Sequence, residues 1–434
     1  MAKYETHPIN FYSNLADWLF NHSSSKMPAA QWLGTMNALK NTSQDEVESL
    51  GLTDYLNSVT PETKVFKSDL CALVQQQLDY PMRLELLTRK LSKYSPEFKI
   101  ERFSQELIPK KVRKLLVHTM VLDCFKFSSF NYRIIKYRFD GGWFGSIDTC
   151  IVLDNKWEVL RPKRSYTMLE AVDMIYMLMT EKFKDFVSTG DDTRYEGYAT
   201  LGVDNRYQEW LLTLPYWHDA FDNGHFEINN VLLHIRTSQW RDEQGEELLL
   251  VDELQSDWHA QGRDYGYYST YEEPDDNRVP QVSYAKEWAL LGVRVALAIA
   301  VQKGLNRLAF VNSQVQAERY GDLLDGFVQL YDKQIPDYLN KLAKQFTCGF
   351  SQAIIMVSKP RHNIRYINRR TIELQPRYQS ASTHYVLSYP VAMFYLKKTG
   401  NKVKRELKVF EISPALRDSI KQHGLPMFGN FKTA

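Results

Sequence analysis

Apolar residues recur at intervals of three and four through the first eighty positions, which is the spacing that gathers them on one face of a helix. Two such sets are Phe11, Leu15, Trp18 and Leu19, and then Trp32, Leu33, Met36 and Leu39. Helix-start signals accompany them, because Ser43 with Glu46 has the spacing of a capping box and Thr60 precedes Pro61. The pattern therefore predicts a helical module over 1–80.

The next hundred residues change character partway along. A helical pattern continues over 81–130, whereas strict alternation after Asp140 predicts a small β-meander, followed by a helix over 167–183. The polar run at 188–192 is the strongest boundary signal in the chain. We interpret 81–190 as a basic helical segment plus a small β-meander and a helix.

Three strand-like runs follow this boundary: QEWLLTLPYW, NVLLHIRTSQW and EELLLVDELQ. A long apolar helix is predicted over 283–303, and the strand LNRLAFV comes after it. We therefore predict a central α+β domain over 191–345 and a basic β and helical tail over 346–434. The expected fold class is α+β, with the N-terminal helical module followed by a central mixed sheet domain that helices flank.

The last two of these runs predict a hairpin closed around the loop 241–245. That loop would pair Arg236 with Leu249 and His234 with Val251, which places both side chains on the face that also holds Glu253 and Gln255. A slip of one residue would bring Asp252 to that face instead.

Polar residues are dense where the third run ends, and strand ends are common positions for binding and catalytic groups. The candidate catalytic set is Glu253, Gln255, Asp257, His259, Arg236 and His234. In the alternative interpretation, Asp257 caps a turn and His259 is a surface histidine.

Three chemistries can be compared with this set. A nuclease would use Glu253 and Gln255 at the end of an apolar strand, but the upstream strand offers His234 where a magnesium site needs an oxygen ligand. An acyltransferase of the GNAT type needs a phosphate-binding loop followed at once by a helix. The run from Gln261 to Gly266 only approximates such a loop, and the next predicted helix begins near Ser283. A metal site made of His234, Glu253, Asp257 and His259 would have acceptable ligand types, but these residues lack a short, specific ligand spacing. The set therefore identifies no cofactor.

Composition limits the classes of protein. With 44% hydrophobic and 24% charged residues, the 434-residue chain has the make-up of an ordered globular protein. Its net charge of +2 is too small to identify the kind of partner it binds. The four cysteines have no Cys-x-x-Cys spacing, which fits a reducing compartment. No apolar run reaches the roughly 18 residues of a membrane span, so we expect no membrane association.

Two basic stretches contain interleaved aromatic residues, a combination that suits phosphates and stacked bases. The candidate nucleic-acid-binding residues are Lys110, Lys111, Arg113, Lys114, Arg361, Arg365, Arg369 and Arg370. The alternative is that these charges form ordinary solvated faces of a helix and a hairpin.

Several segments resemble parts of the large polyvalent proteins of tailed bacteriophages and prophages. They include FYSNLADWL, KMPAAQWLG, TRYEGY, ELQSDWHAQGRDYGY, LYDKQIPDYLNKLAKQF and FEISPALRDSIKQHGLPMFG. The last segment departs from the Pro-Leu-x-Arg-Phe-Gly ending typical of that family, since Met427 precedes Phe428 where the family has arginine. The resemblance implies origin in a phage or mobile element. It also implies action in the cytoplasm of a bacterial host, or carriage in the virion with injection into the host.

The resemblance implies no defined reaction and supplies no catalytic residues. The leading hypothesis is therefore a protein that binds host protein or nucleic acid. An enzyme with its site at 253–263 is the alternative, acyltransferase-like or, second, a nuclease.

Overall fold

A computed structural model gives the architecture of most of the chain. The residues it describes are 5–40, 42–78, 82–87, 100–127, 132–140, 146–160, 166–182, 206–215, 220–222, 226, 228–268, 277–282, 284, 287–320, 324–359, 362–368, 371–376, 385–388 and 401–433.

Helices and strands alternate irregularly along these ranges. The α-helices are α1 Asn14–Asn21, α2 Ala29–Asn37, α3 Gln44–Ser49, α4 Leu52–Asn57, α5 Lys67–Leu78, α6 Lys110–Leu115, α7 Met168–Lys182, α8 Asp257–Tyr265, α9 Trp288–Gln302, α10 Ser313–Tyr320, α11 Asp325–Phe327, α12 Ile335–Phe346 and α13 Pro414–His423. The strands are β1 Glu5–His7, β2 Phe11–Tyr12, β3 Lys26–Pro28, β4 Lys64–Phe66, β5 Arg83–Leu87, β6 Ile100–Arg102, β7 Thr119–Phe127, β8 Arg133–Asp140, β9 Ser146–Leu153, β10 Gln208–Thr213, β11 Val231–Arg241, β12 Glu247–Gln255, β13 Tyr267–Tyr268, β14 Val279–Pro280, β15 Arg307–Phe310, β16 Gly349–Lys359, β17 His362–Asn368, β18 Thr371–Pro376, β19 Tyr385–Ser388, β20 Asn401–Glu411 and β21 Leu425–Pro426. A π-helical segment, Val328–Gln334, joins α11 to α12, and a 3₁₀ turn spans Gln105–Leu107.

The chain divides into two compact units. The first unit comprises Met1–Arg89, Asp191–Val357 and Val403–Ala434, and the second comprises Lys90–Gly190 and Ser358–Lys402. No helix within the described ranges is long and apolar enough to cross a membrane.

An eight-stranded mixed sheet forms the centre of the first unit, in the order β1-β5-β10-β11-β12-β15-β20-β16. Neighbouring strands from β1 to β12 pair antiparallel, as do β15 and β20. Strands β12 and β15 are parallel, because α8 and α9 carry the chain back between them. The predicted α+β class is therefore confirmed, as are the three strands predicted after the boundary. Strands β1 and β5 also join this sheet.

Helix α9 is the main element covering the sheet. Its sequence, WALLGVRVALAIAVQ, is apolar on all sides, and twelve of its residues are buried. It packs against β11, β12 and β15 on one side and against α12, α13 and β21 on others. Gly292 lets α9 lie close to β12, because a Cβ at this position would overlap the Leu254 side chain.

The single charged residue buried in α9 is Arg294, and each nitrogen of its guanidinium donates a hydrogen bond. It donates to Glu287 Oε2 at 2.7 Å, to the Tyr338 hydroxyl at 3.0 Å and to the Met427 carbonyl at 3.0 Å. Since an unpaired buried charge is strongly unfavourable, these bonds tie α9 to α12 and to the C-terminal segment.

The N-terminal helices have a core of their own, which includes Leu15, Trp32 and Val47. Strand β2 pairs in parallel with β21, so the C-terminal segment closes against the start of this module. Ser43 caps α3 as predicted, but the Glu46 carboxylate does not return to Ser43 and instead accepts the Ser13 hydroxyl at 2.6 Å. The predicted helix start at Thr60 is wrong, because residues 61 and 62 form a turn before β4.

The second unit contains the four-stranded antiparallel sheet β6-β7-β8-β9 and the three-stranded sheet β17-β18-β19. The helix predicted over 81–130 is wrong for most of the described part, where β5, β6 and β7 lie and only the short α6 is α-helical. Strand β5 is buried on both faces and β7 contains a bulge between Val121 and Asp123, so neither has the strict alternation that predicts a strand. Val112 of α6 packs with Cys124 and Ile135 of the sheet, as does Leu116, the residue that caps the C-terminus of the helix.

Glu46 makes the stability of the first unit dependent on pH. Burial raises the pKa of its carboxyl group from 4.5 to about 7, and the hydrogen bonds from Ser13 and the Leu15 amide only partly oppose this. The folded state therefore favours the protonated form. Its stabilising contribution is complete below pH 4.5 and is lost as the pH rises through about 7.

This contribution of Glu46 to the free energy of unfolding should fall by roughly 3 kcal/mol between pH 5 and pH 8. We expect Glu46→Gln to remove most of this pH dependence. Urea unfolding at the two pH values, followed by tryptophan fluorescence, measures it. Glu48→Gln, on the exposed side of the same helix, is the matched control and should leave the dependence unchanged. An unaltered pH dependence in Glu46→Gln would show that another group is responsible.

Candidate functional sites

The hairpin β11–β12 carries the residues predicted to be catalytic. Arg236 lies directly opposite Glu253, and His234 lies opposite Gln255. The predicted register is therefore wrong by four residues. Two local features cause the difference. Asp242 accepts hydrogen bonds from the Gln244 and Glu246 amides, so the loop begins at Asp242 and the last pair before it is Arg241 with Glu247. A β-bulge between Arg236 and Thr237 then shifts the pairing by one more residue.

An even shift leaves each side chain on its original face, so the predicted sharing of one face by Arg236 and Glu253 is confirmed. The Arg236 guanidinium forms an ion pair with the Glu253 carboxylate. His234 Nε2 lies 3.8 Å from Glu253 Oε2. All three side chains are at most 6% exposed, so this is an ion pair in the interior of the first unit.

The row of charges continues onto the neighbouring strand. Glu209 of β10 lies opposite Arg236, and its carboxylate accepts the Tyr207 hydroxyl at 3.1 Å. Burial, and then the negative charge of Glu209, raise the pKa of Tyr207 well above its ordinary value. Neither residue was predicted from the sequence, where QEWLL reads as an ordinary strand.

The β-bulge adds a third carboxylate. Asp252 has no partner residue in the ladder between Arg236 and Thr237, and its Oδ2 accepts the Ser238 hydroxyl at 2.7 Å. We define the buried polar cluster as Tyr207, Glu209, His234, Arg236, Ser238, Asp252 and Glu253. Tyr207 donates to Glu209 and Ser238 donates to Asp252, while Arg236 forms the ion pair with Glu253, in keeping with the need of buried polar groups for partners.

Gln255, Asp257 and His259 form separate contacts at the end of β12. Gln255 donates to Asp257 Oδ1 through a short bond. Ser256, rather than Asp257, caps α8: it accepts the His259 amide at 3.2 Å and donates to the Leu232 carbonyl at 2.6 Å. The structure therefore brings together three of the six predicted side chains, His234, Arg236 and Glu253, as one buried polar group.

His259 is buried, so the alternative interpretation of it as a surface histidine is wrong. Its Nδ1 lies 3.0 Å from the Tyr267 hydroxyl. Burial, and then the positive charge of Arg263, lower its pKa to about 4, so the ring is neutral near pH 7. Gly262 accommodates the pair, because a Cβ there would overlap the Tyr267 ring.

Helix α8 begins directly after β12, which the sequence did not predict. Gln261, Gly262 and Arg263 therefore lie inside a helix, where their amides are used by the helix itself. This arrangement provides no phosphate-binding loop of the GNAT kind.

Two cavities in the first unit lie away from the cluster. One, of about 350 Å³, is lined by Val315, Glu318 and Arg405 among others. The other, of about 440 Å³, is lined by residues that include Asn10 and Arg417. Within the ranges that the structure covers, no group of three or more His, Cys, Asp or Glu side chains is placed to hold a metal ion.

The predicted basic residues of the second unit are divided by their contacts. Lys111 bonds the Lys156 carbonyl and the Glu158 carboxylate, and Arg113 donates to the carbonyls of Ile108 and Glu106. Lys110 and Lys114 are exposed and have no polar contact with any described residue.

The basic residues of the tail can be placed only in part. Arg361, Arg369 and Arg370 lie outside the described residues. The backbone of Arg365 lies in β17, opposite Glu373.

Division into units exposes a charge asymmetry that the net charge of +2 conceals. The second unit contains 27 of the 54 Lys and Arg residues but only 13 of the 52 Asp and Glu residues, a surplus of 14 positive charges. The first unit contains the remaining 27 basic and 39 acidic residues and is correspondingly negative. Such an asymmetry indicates different electrostatic roles for the two units.

Comparison with protein-family models, with curated proteins and with solved structures found no match.

The buried ion pair leads to a prediction about stability. Arg236→Met alone should lower the free energy of unfolding by roughly 3–5 kcal/mol, because it leaves the Glu253 carboxylate buried without its partner. Adding Glu253→Leu should restore a large part of this loss. Urea unfolding of the single and double variants gives the coupling energy.

The matched control is Arg241→Met, which removes an exposed pair with Glu247 from the same hairpin and should cost less than about 1 kcal/mol. A double variant whose cost equals the sum of the two single costs would contradict a direct coupling of Arg236 with Glu253.

Proposed function

We propose that the protein binds nucleic acid through its second unit. The surplus of 14 positive charges in that unit is the observation that supports this most strongly. Lysine and arginine that neutralise phosphates release condensed counterions, and this supplies most of the free energy of sequence-independent binding. A host protein as partner, the other form of the leading hypothesis, does not by itself account for so large a surplus of one sign.

Helix α6 offers the clearest contact residues. Lys110 and Lys114 are four residues apart and therefore lie on the same side of the helix, opposite the buried Val112. The internal bonds of Lys111 and Arg113 restrict those two side chains to supporting the helix and its surroundings. The phosphate contacts are thus assigned to Lys110 and Lys114, and to the surrounding basic residues as an extended field.

Origin in a tailed phage or a mobile element is part of the same proposal, and the quoted segments support it. In this setting the protein acts in the bacterial cytoplasm, or travels in the virion and enters the host with the DNA. Nucleic acid is an available partner in both places.

The proposal predicts a salt-dependent affinity that Lys110→Glu with Lys114→Glu weakens. Fluorescence anisotropy of the full-length protein with labelled 20-nucleotide DNA and RNA, between about 50 and 200 mM salt, measures both quantities. If each lysine contacts one phosphate, the slope of log affinity against log salt should fall by roughly 1.4 to 1.8.

The matched control is Lys40→Glu with Lys64→Glu, which changes the net charge equally at exposed positions of the first unit. Equal loss in the two double variants would mean that only overall charge matters. Absence of binding at low salt would remove nucleic acid as the partner.

A second candidate function is an enzyme that uses the buried polar cluster of the first unit. The observation that favours it is the concentration of three carboxylates, an arginine and a histidine at 5% exposure or less on one sheet, since strongly desolvated charges are common in active sites. In that role Glu253 would exchange a proton with the substrate and Arg236 would stabilise developing negative charge.

This candidate predicts that folded Glu253→Gln loses the biological effect of the protein when it is produced in the bacterial host. Glu247→Gln, at the exposed end of the same strand, should retain it. Circular dichroism establishes folding, and host growth is the readout. Full retention by folded Glu253→Gln and by Asp257→Asn would exclude catalysis by these carboxylates.

A further inference from the structure

We infer that the nucleic acid bound by the second unit is single-stranded and that one of its bases stacks on Phe139. This inference rests on the proposed function and adds the class of ligand to it. The surface concerned, which we call the basic-apolar surface, comprises Lys110, Lys114, Leu115, Val117 and Phe139.

Backbone geometry places the end of α6 and Phe139 at one end of the sheet. Thr119 pairs with Phe139 across β7 and β8, and its amide and hydroxyl both donate to the Leu116 carbonyl at the end of α6. Phe139 follows Tyr137 by two residues and therefore lies on the same face, where Tyr137 packs in the core beneath α6. The end of α6 and Phe139 are thus neighbours.

The apolar members of this surface are unusually open to water. Leu115 is 64% exposed, Val117 is 55% exposed and Phe139 is 50% exposed. Each of these side chains would contribute roughly 1 kcal/mol or more if it were buried. Leu115 directly follows Lys114 in α6, so the surface suits a ligand with both apolar and anionic parts.

Other aromatic rings of the same unit already have partners. The Arg133 guanidinium lies 4.1 Å from the Trp157 ring centre, and Trp157 contacts Phe103 edge to face. The Arg102 guanidinium lies 5.8 Å from the Phe125 ring centre. Among the residues whose positions are described, Phe139 has no ring or cation contact, which leaves its face open for a base.

Duplex nucleic acid offers little to such a surface. Its bases are paired and stacked inside, so the outside presents phosphates and sugars, for which lysines alone are sufficient. Unpaired bases, in contrast, expose faces that stack on aromatic side chains while the backbone lies along neighbouring positive charge. The combination in the basic-apolar surface therefore favours a single strand.

The test compares labelled dT20 and rU20 with a duplex of 20 base pairs, by anisotropy with the full-length protein. We expect the single strands to bind more tightly than the duplex at equal salt. Phe139→Ala should weaken binding of the single strands roughly tenfold or more, should leave duplex binding unchanged, and should leave the salt slope unaltered. Phe139→Trp should restore binding, because it retains a stacking surface.

The matched control is Phe66→Ala, which removes an aromatic ring of similar exposure, 48%, beside Lys26 in the first unit. It should leave all affinities unchanged. Circular dichroism verifies that each variant is folded, and Phe139→Ser serves as a second truncation.

The outcomes separate this inference from the proposed function. Equal affinity for duplex and single strands, or unchanged binding in Phe139→Ala, overturns the single-strand inference while the effect of the Lys110 and Lys114 variants keeps nucleic-acid binding. Absence of binding to every probe at low salt overturns both.

Discussion

The exclusion of water from helix α9 is the constraint on which the first unit depends. A surface helix needs only one covered stripe, whereas α9 is apolar on every side and must be enclosed. The sheet covers one side, and α12, α13 and the C-terminal segment cover others. Arg294 adds direction to this non-directional packing, because its guanidinium is satisfied only when Glu287, Tyr338 and the Met427 carbonyl are all in place. Hydrophobic burial thus assembles the layers, and one buried charge specifies their arrangement.

The two faces of the sheet lie in different environments, and the bulge in β12 adds a residue to the polar face. Leu254 points toward α9 and meets Gly292, while Glu253 joins Arg236 on the opposite side. An extra residue at this position brings Asp252 into the polar group without disturbing the apolar face. A strand with strict alternation could not present two successive carboxylates to one side. The polar cluster is therefore a product of irregular backbone, and its position follows from the strand that α9 fixes.

The sequence predicted what periodicity controls and missed what individual side chains control. Apolar periodicity was enough to predict the strands β10 to β12 and the helix α9. The common face of Arg236 and Glu253 could also be predicted, because a register error of an even number of residues leaves each side chain on the same face. The register itself depended on Asp242 organising the loop, and Glu209 entered the cluster only through pairing with a strand some thirty residues away. Charge separation between the units was hidden because two distant segments combine in the second unit.

The pairing of β2 with β21 has a consequence for the time course of folding. Phe11 and Leu425 are neighbours in space although more than four hundred residues separate them along the chain. At roughly 5 to 20 residues per second, a ribosome needs about 20 to 80 seconds to make the intervening polypeptide. During that interval the N-terminal helices, which have their own core, can form. Helix α9 ends at Gln302, so the roughly 120 residues between it and β21 take about 6 to 25 seconds to synthesise, and one side of α9 stays uncovered for that time. Nascent chains of this protein therefore expose this apolar surface to water for several seconds before the C-terminal segment can cover it.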